Sequence, residues 1–140
     1  SGSSVATDVL LRLSVITGDS GYQSHAVTAL RSSRELMTRF PTGAGHWLCA
    51  LDFYLSPAKE IAIVGDWGEP DTRALASEVY RRFLPNRVLL GRNHADDALD
   101  GLPLINGREK LDGRATAYVC ENYVCQLPVT DPAALGKQLV

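Results

Sequence analysis

Over the first 57 residues the apolar positions recur at helical spacing. Between residues 4 and 16 they are Val5, Ala6, Val9, Leu10, Leu11, Leu13, Val15 and Ile16. They cover more than one face, which predicts a helix buried on several sides. Gly18 is placed for a left-handed cap and Asp19 for the N-cap of a second helix over residues 20–40. That helix has a narrower stripe, Tyr22, Ala26, Ala29, Leu30, Ser33, Met37 and Phe40, and a polar face with Gln23, Arg31, Arg34 and Glu35. Residues 41–45 read as a loop, and "HWLCALDFYL" as a third helix, apolar all round and closed by Pro57. Short loops make neighbouring helices antiparallel, so the first and third should run parallel.

At Lys59 the period changes. "EIAIVG" is a β-branched strand, and Pro70-Asp71-Thr72 opens a helix to about residue 84. Leu75, Val79 and Phe83 form its stripe and Asp71 its expected cap. "RVLLG" is a second strand, parallel to the first across a right-handed βαβ crossover. Residues 92–113 are irregular, with one short helix expected near 96–99. "ATAYVC" is a third strand, and Asp131-Pro132 opens a last helix. The expected fold class is α/β: a three-helix segment over residues 1–57, then a small parallel β-sheet with flanking helices over 58–140.

Composition narrows the function classes. A net charge of −2 on 140 residues, with scattered cations, leaves no footprint for nucleic acid or acidic lipid. No apolar run reaches membrane-spanning length and no signal peptide is visible. Three cysteines, an odd number, fit a reducing compartment, so the expected location is cytoplasmic.

The segments "SGSSVATDVLLRLSVITGD", "KEIAIVGD", "PDTRAL", "PNRVLL" and "DGRATAYVCENYVCQLPVTDPAAL" together resemble the C-terminal end of the long thioredoxin-domain-containing proteins. Most are uncharacterised bacterial proteins, with a spermatogenesis-associated animal relative of the same layout. The resemblance covers the whole chain and implies an N-terminal thioredoxin-like domain, then an α/α toroid similar to those of epimerase-like sugar enzymes. It therefore implies that residues 1–57 are a toroid segment whose partner is the N-terminal portion of a larger protein. The family opening Pro-Ser-Gly-Asn-Ser-Val-Ala meets Ser1-Gly2-Ser3-Ser4-Val5-Ala6 here, with Ser3 at the Asn position.

Three places are candidates for chemistry. Cys120 and Cys125 are separated by four residues. On a straight strand their Cα atoms would lie about 16 Å apart, beyond disulfide reach, whereas a turn through residues 121–123 would bring them together. The favoured reading is a small buried Cys120 on the strand and a Cys125 packed under the next loop; a redox pair is the sharper alternative. No metal is expected, because His25, His46 and His94 make no ligand pattern with the pair. The second place is a toroid rim, where parallel first and third helices would bring Ser3 and Ser4 near His46 and Trp47. Helix capping and packing are the plainer roles for these residues, and Asp8 and Asp52 are isolated carboxylates on buried helices. The third, "GDWGEPDT", has Gly65 and Gly68 but no phosphate-loop lysine, and its acids would repel phosphate; it reads as a turn.

The expected function is that of a C-terminal segment completing a larger protein, with no catalysis on its own and no cofactor. Its uncovered helices are expected to self-associate. The rival classes are a thiol redox module and an interaction module.

Overall fold

The computed structural model describes residues 1–93, 99–122 and 124–140. The chain divides into two compact units, Ser1–Ala58 and Lys59–Val140.

The first unit is helical. α1 (Gly2–Thr17) opens on a capping box: the Ser4 N–H donates to Ser1 Oγ and the Ser1 amino group donates to Ser4 Oγ, both at 3.3 Å. Gly18 closes it at φ 73°, the left-handed cap that its position predicts. α2 (Ser20–Ser32) carries the expected Asp19 cap, whose carboxylate accepts from the Gly21 N–H at 2.7 Å. The helix expected over 20–40 is broken at Ser33, and α3 (Arg34–Arg39) follows, then a short 3₁₀ turn at Pro41–Ala44 and α4 (Gly45–Leu55). α1 packs on both α2 and α4.

The narrow stripe of α2 and α3 is buried at Ala26, Leu30 and Met37, whereas Phe40 is exposed. The all-round burial expected of α1 and α4 does not occur. α1 buries only Ser4, Thr7 and Leu11, and α4 only Trp47, Ala50 and Phe53. Val5, Val9, Tyr54 and Leu55 are exposed, because two neighbours cover only one side of a helix. Nor is Asp8 isolated: both its oxygens accept from Arg12 Nε, at 3.1 and 3.2 Å, and Arg12 stacks 4.5 Å from the Phe53 ring centroid.

The second unit is a four-stranded sheet with two helices. β1 (Lys59–Val64) pairs in parallel with β2 (Arg87–Arg92) around α5 (Pro70–Tyr80), as the βαβ reading requires. β3 (Thr116–Glu121) runs antiparallel to β1, and the two-residue β4 (Val124–Cys125) antiparallel to β3. The order is β2-β1-β3-β4, so the sheet is mixed rather than parallel. An antiparallel third strand needs no helical crossover, and the described residues of the stretch before it supply none. The short helix expected near 96–99 falls largely on residues 94–98, outside the described residues.

α5 packs on β1 and β3, and α6 (Pro132–Gln138) packs on α5. Ile61, Ile63, Ala117 and Val119 of the two central strands join Leu75, Val79, Leu135 and Leu139 of the helices in one core. α5 ends at Tyr80, so Phe83 leaves the stripe predicted for it and is 92% exposed. Asp71 is not the cap. Glu69 holds that position without a side-chain bond, and Asp71 instead accepts from the Thr72 and Ala115 N–H groups, both at 2.8 Å. Those bonds hold its carboxyl below the ordinary range, the Ala115 bond most of all. Gly65 makes room for this junction: a Cβ there would lie 2.4 Å from Thr72 Oγ1 and 2.8 Å from Ala115 Cβ.

Leu75 is fully buried at the centre of this core, so Leu75→Ala should cost about 2–5 kcal/mol in urea unfolding. A loss under about 1 kcal/mol would mean that the sheet–helix core is not organised around it. The depressed carboxyl of Asp71 binds a proton less readily folded than unfolded. It therefore adds stability above its unfolded pKa, which is lost as pH falls through the folded value. Asp71→Ala should flatten the fall in urea midpoint below about pH 4.

Candidate disulfide site

The two cysteines of the last hairpin are joined. Cys120 and Cys125 form a disulfide, with Cα atoms 4.0 Å apart. They sit directly opposite one another on β3 and β4. The Gln126 N–H donates to the Val119 carbonyl one step along the ladder, which makes the cysteines a close, non-hydrogen-bonded pair. The turn that allows this passes through Asn122 at φ 50°, a left-handed conformation that asparagine tolerates. The favoured reading of unpaired cysteines thus holds only for the burial of Cys120, which is 2% exposed. Cys125 is exposed at the sheet edge rather than packed under a loop, because the hairpin ends there.

Side chains directly opposite on paired strands share a face of the sheet. Glu60 is opposite Cys120, and Tyr118 is two residues before it, so all three lie on the face away from the helical core. The segment before β3 folds back over that face. Asp112 and Gly113, at φ 50° and 71°, form a turn bridged by Leu111 and Arg114. The Tyr118 hydroxyl pins this segment, donating to the Glu109 carbonyl at 2.7 Å and accepting from the Glu109 N–H at 3.2 Å.

This return brings Arg108 onto the bridge. Its Nη2 donates to Cys120 Sγ at 3.1 Å and lies 3.8 Å from Cys125 Sγ, while its guanidinium carbon sits 5.2 Å from the Tyr118 ring centroid. Nη1 is buried with no hydrogen-bond partner. Burial lowers the guanidinium pKa, offset by attraction from Glu60 and Tyr118, yet arginine keeps its charge at working pH. Burial raises the Glu60 carboxyl, and Arg108 pulls it back. The site is thus a half-buried cation facing a disulfide, balanced by one carboxylate. A fixed cation there can stabilise a thiolate formed when the bridge opens.

Ser3 and His46 are exposed at the starts of α1 and α4, Ser4 is buried as the partner of the Ser1 cap, and Trp47 is buried in the helical unit. His94 lies outside the described residues. Among the described residues no group of three or more His, Cys, Asp or Glu is placed to hold a metal, and no helix is long and apolar enough to cross a membrane. "GDWGEPDT" is a turn in which the Gly68 N–H donates to Asp66 Oδ1 and the Trp67 N–H to Asn93 Oδ1.

The residue missed by sequence reasoning is Arg108. It stands twelve positions before Cys120, at no recognisable motif spacing. The available signal was Asp112-Gly113, a hairpin turn that returns residues 108–111 toward β3.

The chain is 36% identical over 141 residues to spermatogenesis-associated protein 20 of Homo sapiens, and 33% identical to the proteins of that name in Rattus norvegicus and Mus musculus. Each alignment covers 99% of this chain but 18% of the relative, so the chain matches a fragment of much larger proteins. No family model and no solved structure matches.

In Arg108→Met the Glu60 carboxyl loses its attractive charge and keeps its desolvation. Its pKa, followed by carbon-detected NMR titration, should rise further above the ordinary glutamate range. An unchanged Glu60 titration would show that the two groups do not interact.

Proposed function

We propose that this chain is a thiol–disulfide segment of a longer protein, with Cys120 and Cys125 as its reversible pair. The observation that carries this is the Arg108 guanidinium beside both sulfurs, on a bridge with one buried and one exposed cysteine. A purely structural staple needs no cation at its sulfurs. Residual attraction for thiolate is what a pair that opens requires. In a cytoplasmic chain such a bridge would be transient and catalytic or sensing. An N-terminal thioredoxin-like domain, implied by the family resemblance, is the natural electron partner.

A second reading concerns Ser1–Ala58, as one segment of an α/α toroid wall in a sugar-processing, epimerase-like parent. It is favoured by α1 and α4, each buried on one side and apolar at Val5, Val9, Tyr54 and Leu55 on the other. Further helices of a longer chain would cover those positions, with Ser3 and His46 as the candidate rim residues. In their absence the uncovered side favours self-association, which sedimentation over a range of concentrations would show as a rising mass.

Alkylation followed by intact mass tests the redox reading. Before reduction one thiol, the exposed Cys49, should react; after mild reduction three should, with circular dichroism unchanged. Reoxidation should restore the bridge. A bridge that stays closed against excess reduced glutathione, or whose opening unfolds the chain, would make it a staple.

A further inference from the structure

The surroundings of the two sulfurs are unequal. Cys125 belongs to the exposed edge strand, whereas Cys120 is 2% exposed between β1 and β4. Thiol–disulfide exchange is an in-line displacement, so the attacked sulfur must be reachable and the departing one is best stabilised as an anion. Arg108 Nη2 is 3.1 Å from the buried sulfur and 3.8 Å from the exposed one. Access and charge therefore select the same direction of attack.

We infer that exchange here is regiospecific: an incoming thiolate attacks Cys125 Sγ, and Cys120 Sγ departs as a thiolate held by Arg108. The inference rests on the exchange reading above. In the first step a sulfur–sulfur bond forms between the incoming thiol and Cys125. The Cys120–Cys125 bond breaks, and its electron pair stays on Cys120 without proton transfer. With a dithiol reductant the second thiolate then attacks its own sulfur in the mixed disulfide. The reductant leaves as a cyclic or paired disulfide, and Cys125 leaves as a thiolate that takes a proton from water. The reductant loses two electrons and the protein pair gains them.

Among the described residues, the charged and titratable groups around the departing sulfur come from three elements. Glu60 is opposite on β1, Tyr118 is on β3 itself, and Arg108 is on the returning segment; Lys59 and Glu121 are the next register pair. Glu60 opposes a thiolate, so Arg108 acts as the positioning residue that outweighs it. The incoming thiol, in contrast, meets Cys125 beside the exposed Val124 and Leu127, 73% and 82% exposed. Glu121, opposite Val124, is the charged side chain of that rim, and Gln126 is exposed between Cys125 and Leu127.

Two experiments on the folded Cys49→Ser protein test this. In the first, the oxidised protein is treated briefly with glutathione, quenched in acid, alkylated and mapped by peptide mass. The glutathione adduct should sit on Cys125 with Cys120 alkylated; an adduct on Cys120, or equal adducts on both, overturns the inference. In the second, reduction by dithiothreitol is timed for the parent, Arg108→Met and Arg108→Lys. Loss of the cation should slow reduction by about fivefold or more, with most of the rate restored by lysine. A methionine variant as fast as the parent overturns the role of Arg108. Should that variant fail to fold, the adduct map on the parent still decides the direction of attack. No adduct and no reduction in the folded parent would overturn the exchange reading itself, whereas reduction with the wrong adduct overturns only the regiochemistry.

Discussion

The pairing of β1 with β3 is the constraint on which the second unit depends. Its register places Ile61 opposite Val119 and Ile63 opposite Ala117, which commits one face of both strands to the helices. Because side chains alternate, the same register commits Glu60, Tyr118 and Cys120 to the other face. A slip of one residue would exchange the two sets, burying a carboxylate against Leu75 and turning isoleucines away from their core. The hydrophobic term thus holds in place a polar arrangement that contributes little to it. Once β3 is fixed, the hairpin to β4 sets the second cysteine opposite the first.

The loop before β3 completes the arrangement from the opposite direction. Asp71 anchors its end at Ala115, and Tyr118 clasps Glu109, so the segment is held at its end and again at the residue next to Arg108. These are hydrogen bonds between side chains and backbone. They fix position without demanding a regular element, which is why an irregular stretch can hold a charged group at hydrogen-bond distance from sulfur.

Much of the fold was legible from periodicity. The stripe of α2 and α3 at Ala26, Leu30 and Met37, the βαβ pairing and the left-handed Gly18 are local consequences of residue type, and they appear where the pattern puts them. What escaped was non-local. The direction of β3 is decided by what lies between strands, and an irregular connection gives no periodic signal. Asp71 has the residue type of a cap, yet Glu69 holds that position, and one of the two backbone groups bonded to Asp71 is 44 residues away. Val5 and Val9 satisfy a helical pattern without being buried, since a pattern states what a face is made of and not whether anything covers it. The site followed the same division. Cys120 and Cys125 were visible by identity; their bonding required a turn at Asn122, and Arg108 required a fold-back that only the Asp112-Gly113 dipeptide announced.

The bridge closes a ring of very few residues, with a sequence separation of five. Chain-entropy models give such a small ring a weaker hold on the unfolded ensemble than a long one, on the order of 2 kcal/mol. The core of Ile61, Ile63, Leu75, Val79 and Leu135 contains neither sulfur. Cutting the ring therefore releases a two-residue strand and its turn and leaves the remaining architecture bound by its own packing. In the exchange proposed above, the pair would take up or release electrons at this edge with the rest of the fold unaltered.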